Sequence, residues 1–311
     1  MRLDSGTYPF RDNNGTVWLG FSDWGTPKSE NIMLCVHGDT RQSLDFGRLA
    51  ESLANNHHVI GFDLAGHGKS GWLADKKDYS FETSTRHIDG LLDYRNVSQL
   101  DWIGTFTGGI LGMMFAARDV TPIRRLILND TGAFVSSGSI KRFIDNIGNT
   151  VSFKNLNEAS IYFRTVYSGF GALDDVDWSD FIIRSVNREA NGSYTLHYDP
   201  EVIESLRNIP GDIDLWDIYN KIQCPVLLLR GENSDVLSKS TAERMTQTGP
   251  KAQLIEFKNC GHAPSLMNSE HIIAISNWLK EPQEVEEIKD FAQIIEPVRD
   301  RNASAIKSTD E

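Results

Sequence analysis

Read for the spacing of its apolar and polar positions, the first 130 residues alternate between short apolar runs and longer stretches with helical spacing. The runs at 16–21, 32–36, 58–62, 101–103 and 125–128 are rich in β-branched and large apolar side chains and predict strands. Between them, 43–53, 81–94 and 109–117 repeat apolar residues every three or four positions and predict helices. Regular alternation of this kind predicts a parallel sheet covered by helices. Past Asn129-Asp130-Thr131-Gly132 the pattern changes. Residues 135–219 read as several amphipathic helices, with a hairpin turn at Asn191-Gly192. Strand and helix then alternate again at 225–229, 241–248, 253–257 and 270–279. The division this implies is a core of 1–132 and 219–280, interrupted by a helical cap at 133–218. From 281 to 311 the chain is charged, with apolar spacing only around Ile288, Phe291, Ile294 and Ile295, and is expected to be an appendage.

Charge narrows the range of partners. The formal net charge of -12 sets a Coulomb barrier against nucleic acid and anionic membranes, so neither is expected. Residues 1–11 hold no apolar signal segment, and no run approaches the roughly 18 apolar residues of a spanning helix. Cys35, Cys224 and Cys260 lack metal-ligand spacing, and their odd number does not suggest a disulfide framework. A cytoplasmic, reducing location is expected. His57, His58, His67, His87, His197 and His271 share no spacing that suggests a metal, and neither a metal nor a cofactor is expected.

The chemistry lies at the ends of the strand-like runs. Leu34-Cys35-Val36-His37-Gly38-Asp39 is a strand entering a glycine turn. In Gly61-Phe62-Asp63-Leu64-Ala65-Gly66-His67-Gly68-Lys69-Ser70 the glycines permit a tight turn and Asp63 is placed to tie backbone N–H groups. Trp102-Ile103-Gly104-Thr105-Phe106-Thr107-Gly108-Gly109 passes from strand to helix through small residues. Leu228-Leu229-Arg230-Gly231-Glu232-Asn233-Ser234-Asp235 supplies an acid after a later strand, and Asn259-Cys260-Gly261-His262-Ala263-Pro264 a histidine.

In this order the motifs resemble the α/β-hydrolase superfamily over about residues 5 to 280, most nearly bacterial esterases and carbon-carbon hydrolases with a helical cap. The resemblance implies an α/β-hydrolase fold: a mostly parallel central sheet, helices on both faces and an inserted cap. It places Gly104 and Gly108 at the first and fifth positions of the family's Gly-x-Ser-x-Gly turn, and Phe106 where the serine nucleophile stands. It makes His262 the catalytic base, Asp235 its orienting acid, and the backbone N–H groups of Asp39 and Thr107, beside the Gly38 turn, the oxyanion hole.

A benzyl side chain has no lone pair and forms no acyl intermediate, so serine-type esterase activity is expected to be absent. Thr105 and Thr107 are expected to point away from the pocket. A carboxylate at Asp39 disfavours negative charge beside the oxyanion hole. Two functions remain open. In the first, the fold serves as a pocket for a small apolar or ester-like molecule, or as a surface for a partner protein; in the alternative, the His262–Asp235 pair acts as a general base in a lyase, isomerase or cofactor-free oxygenation. Hydrolysis of a small ester-like substrate is the further alternative. Phe153, Tyr162, Phe163, Tyr167, Phe170 and Trp178 of the cap are the pocket-lining candidates.

Overall fold

The computed structural model describes residues 4–281 except 13–14, 28 and 148–151. Eight strands form the main sheet: β1 (Asp4–Asp12), β2 (Gly15–Trp24), β3 (Ile32–Val36), β4 (His58–Phe62), β5 (Leu100–Thr105), β6 (Ile123–Asn129), β7 (Val226–Gly231) and β8 (Gln253–Phe257). Their order is β1-β2-β4-β3-β5-β6-β7-β8. β1 and β2 pair antiparallel, as do β2 and β4, and the other neighbours are parallel. Every residue of β4 and β7 is buried, as expected for parallel strands covered on both faces. β1 has no counterpart in the periodicity. Pro9 lacks the N–H a central strand would need, and the strand is tolerated because it lies at the sheet edge.

Helices α1 (Gly47–Leu53), α2 (Phe81–Arg95) and α3 (Thr107–Ala116) follow the pattern read from the sequence. α2 begins where Ser80 accepts a hydrogen bond from the Thr83 N–H and ends at Asn96, whose φ of 52° is left-handed. α3 is buried along almost its whole length, and its Ile110, Leu111, Met113 and Phe115 each contribute roughly 1.5–3 kcal/mol of apolar burial.

Between β6 and β7 the chain forms α4 (Ser137–Ile147), α5 (Leu156–Val166), α6 (Asp175–Arg184), α7 (Glu201–Arg207) and the short α8 (Trp216–Tyr219). The insertion is not wholly helical. Ser152–Phe153, Tyr194–Leu196 and Val186–Arg188 form a small antiparallel sheet, with Gly192 at φ 87° in the hairpin turn expected there. α9 (Lys239–Met245) and α10 (Ser269–Lys280) complete the chain up to Glu281, which forms one compact unit. The expected appendage beyond Glu281 lies outside the described residues. The C-terminal ends of β3, β5, β6 and β7 lie side by side, and every candidate residue but Gly104 comes from a loop or helix that follows one of these strands or β8.

Candidate active site

The floor of the site is the turn from β5 into α3. Phe106 has φ 45° and ψ -108°, a conformation sparsely populated by side-chain-bearing residues and costing on the order of 1–3 kcal/mol. The surrounding glycines hold it there. A Cβ on Gly104 would lie 2.1 Å from the Gly108 carbonyl oxygen, and one on Gly108 would lie 2.0 Å from that of Val36. Strand and helix therefore approach as only glycine allows. Gly38 is different: its added Cβ would make only ordinary contacts with Thr105 and Phe106. The Phe106 ring is 3% exposed and packs 5.9 Å from the ring of Phe143 on α4.

His262 meets Phe106 edge-on, with ring centroids 5.5 Å apart. Its Nδ1–H donates to Asp130 Oδ2 at 2.7 Å, which turns Nε2 away from that carboxylate; Nε2 has no partner among the described residues. Asp130 directly follows β6 with φ 51° and is fully buried. Its carboxylate also accepts from the Gly231 N–H at 3.1 Å and from the Ser234 hydroxyl. The pairing of His262 with Asp235 is thus corrected. Asp235 is about half exposed and faces Arg142 of α4, 3.4 Å from Nε to Oδ2. β6 and β7 are adjacent and in register, Asn129 opposite Leu229, so an acid after either strand satisfies the same chain order. The carboxylate that follows β6 directly reaches the histidine. Its signal in the sequence was Asn129-Asp130, an acid at the end of a predicted strand.

Asp39 follows β3 through the His37-Gly38 turn. His37 is buried; its Nδ1–H donates to the Gly38 carbonyl at 2.7 Å and its Nε2 accepts from the Leu64 N–H at 3.0 Å, and burial holds its pKa well below the usual histidine value. Asp63 accepts from the N–H groups of Ser43 and Lys69, which makes the glycine-rich loop a scaffold. The Asp39 carboxylate accepts from the Thr107 hydroxyl, 2.7 Å from both its oxygens, and from its own backbone N–H. Burial raises the Asp39 pKa, against the opposing pull of Thr107, His67 and His262. A carboxyl group therefore stands beside the N–H expected to serve the oxyanion hole. Thr105 and Thr107 do not both turn away: Thr105 lines the cavity and accepts from Asn129 Nδ2 at 3.0 Å, while Thr107 holds Asp39.

Above this floor lies a cavity of about 600 Å³ lined by Asp39, Thr105, Phe106 and His262, with Phe143, Tyr167 and Phe170 from the segment between β6 and β7. Phe153, Tyr162, Phe163 and Trp178 do not line it; Phe163 packs against Phe153, Tyr167 and Phe181 instead. Phe143 was not among the candidates, although its place in the apolar series Ile140, Phe143, Ile144, Ile147 marked α4 as facing the core. Arg41 and Arg142 also line the cavity. The Arg41 guanidinium is engaged elsewhere, bidentate on Asp45 and bonded to Ser185. Among the described residues no helix is long and apolar enough to cross a membrane.

Sheet order, the glycine-flanked turn and the strand-end histidine define the class: the chain belongs to the alpha/beta hydrolase fold family, which matches residues 31–268. It is 31% identical to the 3-hydroxybutyrate-oligomer hydrolase of Cupriavidus necator over 82% of this chain and 90% of that protein. It is 26% identical to the 2-hydroxy-6-oxo-2,4-heptadienoate hydrolase of Pseudomonas putida over 79% and 88%. Among solved structures, a Rickettsia typhi protein superposes with a TM-score of 0.85 at 32% identity, covering 91% of this chain and all of that one. An alpha/beta hydrolase from Novosphingobium aromaticivorans gives 0.79 at 28%, with 88% and 98% covered.

Proposed function

We propose that this chain lacks serine-type acyl transfer and holds a small, mostly apolar molecule in the cavity above Phe106. The observation that carries this reading is Phe106 itself. It takes the strained position at the strand-to-helix turn from which the family's nucleophile acts, and it offers no lone pair to a carbonyl carbon. The cavity wall carries four aromatic side chains, Phe106, Phe143, Tyr167 and Phe170, beside polar groups that include Asp39, Thr105, Arg142 and His262, which suits a molecule with an apolar body and a carbonyl or ester group. The compounds named for the two hydrolase relatives carry an ester or an oxo group, in each case together with a carboxylate. A fluorophosphonate probe and p-nitrophenyl butyrate test the reading. The chain is expected to take up no probe and to leave the ester at the buffer rate. Phe106→Ser is expected to take up the probe once per chain. Labelling of the unaltered chain, or ester turnover by it, overturns the proposal.

One observation favours a second reading, in which the site remains catalytic: His262 is oriented by a buried carboxylate and keeps Nε2 unpartnered. A base held this way contributes on the order of 100- to 10,000-fold to proton abstraction. Loss of turnover in His262→Ala, on any substrate the chain converts, is the expected outcome; unchanged turnover removes the reading.

A further inference from the structure

Asp39 faces two cavities. One is the space above Phe106. The other, of about 220 Å³, is lined by Leu64, Phe81, Val202, Leu206 and Ile209 together with Thr107, His67 and Tyr79, and Asp39 is the residue common to both linings. A carboxyl group in such a place is ordinarily neutralised by a lysine or arginine. Here no Lys or Arg side chain among the described residues pairs with it, and its acceptors meet only the Thr107 hydroxyl and its own N–H. Burial without a cation favours the protonated form, a hydrogen-bond donor in an apolar site. His262 Nε2, a hydrogen-bond acceptor, belongs to a residue lining the same cavity.

We propose that Asp39 and His262 form a proton-transfer pair for a neutral, enolisable carbonyl compound whose two arms occupy the two cavities. The proposal rests on the second reading above. His262 Nε2 takes the proton from the carbon next to the carbonyl. The C–H electron pair becomes the new carbon–carbon π bond, and the carbonyl π pair moves onto oxygen. The Asp39 O–H hydrogen-bonds that oxygen as charge develops. Return of the proton from His262 to the same or a conjugated carbon completes an exchange or an isomerisation, with no oxidant, reductant or other reactant consumed. Donors placed where charge develops are among the strongest sources of rate enhancement, and the apolar floor of Phe106 and Phe143 strengthens this one.

The groups around Asp39 fit this role. His67 Nε2 lies 2.6 Å from the Asp39 backbone carbonyl and Thr107 lies on the carboxylate. Arg41 is held by Asp45, and Tyr79 of the second cavity donates to Asp199. Arg142, Asp145 and Asp235 line the first cavity, with Arg142 and Asp235 facing each other. Activity is therefore expected to fall as pH rises and Asp39 gives up its proton.

The probe is 2-tetralone in deuterated buffer, with binding read by saturation-transfer NMR and exchange at C1 by loss of the proton signal. The chain is expected to bind it and to catalyse exchange above the buffer rate. His262→Ala and Asp39→Leu are each expected to lose at least about 100-fold of the exchange. Asp39→Asn keeps an N–H donor that cannot ionise; it is expected to keep part of the exchange and to lose the decline at high pH. Binding without exchange overturns the proposal and leaves the pocket reading standing. Exchange that needs His262 but is unchanged in Asp39→Leu, or that keeps its high-pH decline in Asp39→Asn, overturns the proposal and leaves the base reading standing. No binding at millimolar probe overturns the proposal together with the pocket reading for carbonyl compounds.

Discussion

His262 is oriented by a carboxylate wholly removed from water. Asp130 accepts from His262, from the Gly231 N–H and from the Ser234 hydroxyl, so its loss strands three donors at once. Asp130→Ala is expected to lower unfolding stability by about 2–4 kcal/mol in urea titration. Asp235→Ala, which removes only a half-exposed partner of Arg142, is expected to change it by less than about 0.5 kcal/mol. Asp39 gives the residue scale a pH dependence. Its folded pKa is raised, so above the ordinary carboxylate value of about 4 the folded chain holds a proton that the unfolded chain has released. Stability from this group is complete at lower pH and is lost as pH rises through the folded value. The melting temperature of Asp39→Asn, relative to the parent, is expected to rise between pH 5 and pH 8. A flat difference would place the carboxyl in a well-solvated setting.

At the scale of elements, the β5–α3 turn depends on backbone distances. The contact of Gly108 with Val36 ties α3 to β3, while that of Gly104 with Gly108 folds the turn on itself. A methyl group at either glycine would meet backbone that cannot move without displacing a central strand. Gly108→Ala is expected to cost about 3 kcal/mol or more, or to prevent folding, as read by denaturant midpoint and soluble yield. These glycines were legible in the sequence through the resemblance of residues 104–108 to the family's Gly-x-Ser-x-Gly turn, and the close approach that requires them is a finding of the structure. Asp130 was not assigned as the partner of His262, because two acids follow two adjacent strands and only the packed loops decide which one reaches the histidine. The small sheet in the insertion was also missed apart from its turn. Its strands have two or three residues each, too short for a period of two to register.

For the whole molecule, buried titratable groups act in opposite directions. Burial raises the pKa of Asp39 and Asp63 and lowers that of His37, His57, His197 and His271. The aspartates lose stability as pH rises; the histidines lose it as pH falls, because the unfolded chain gains protons that the folded one refuses. His271 on α10 is the clearest case, lowered to about 4 by burial against Phe257. Its deficit begins near the unfolded value of about 6.5 and amounts to about 2 kcal/mol at pH 5. The stability of His271→Gln relative to the parent is therefore expected to improve on going from pH 7 to pH 5 in paired thermal melts. An unchanged difference would mean that His271 charges freely in the folded state.

By itself the sequence determined the parallel sheet with its covering helices and the glycine-flanked position of Phe106. Each is a local matter of periodicity, or of a turn that only small residues can make. The tertiary structure decided which acid orients His262, that Thr105 lines the cavity, that Asp39 lies between two cavities, and that Phe143 shares the floor with Phe106. These depend on residues far apart in the chain meeting at the ends of neighbouring strands. A linear pattern shows where a side chain can point, and packing alone chooses what it meets.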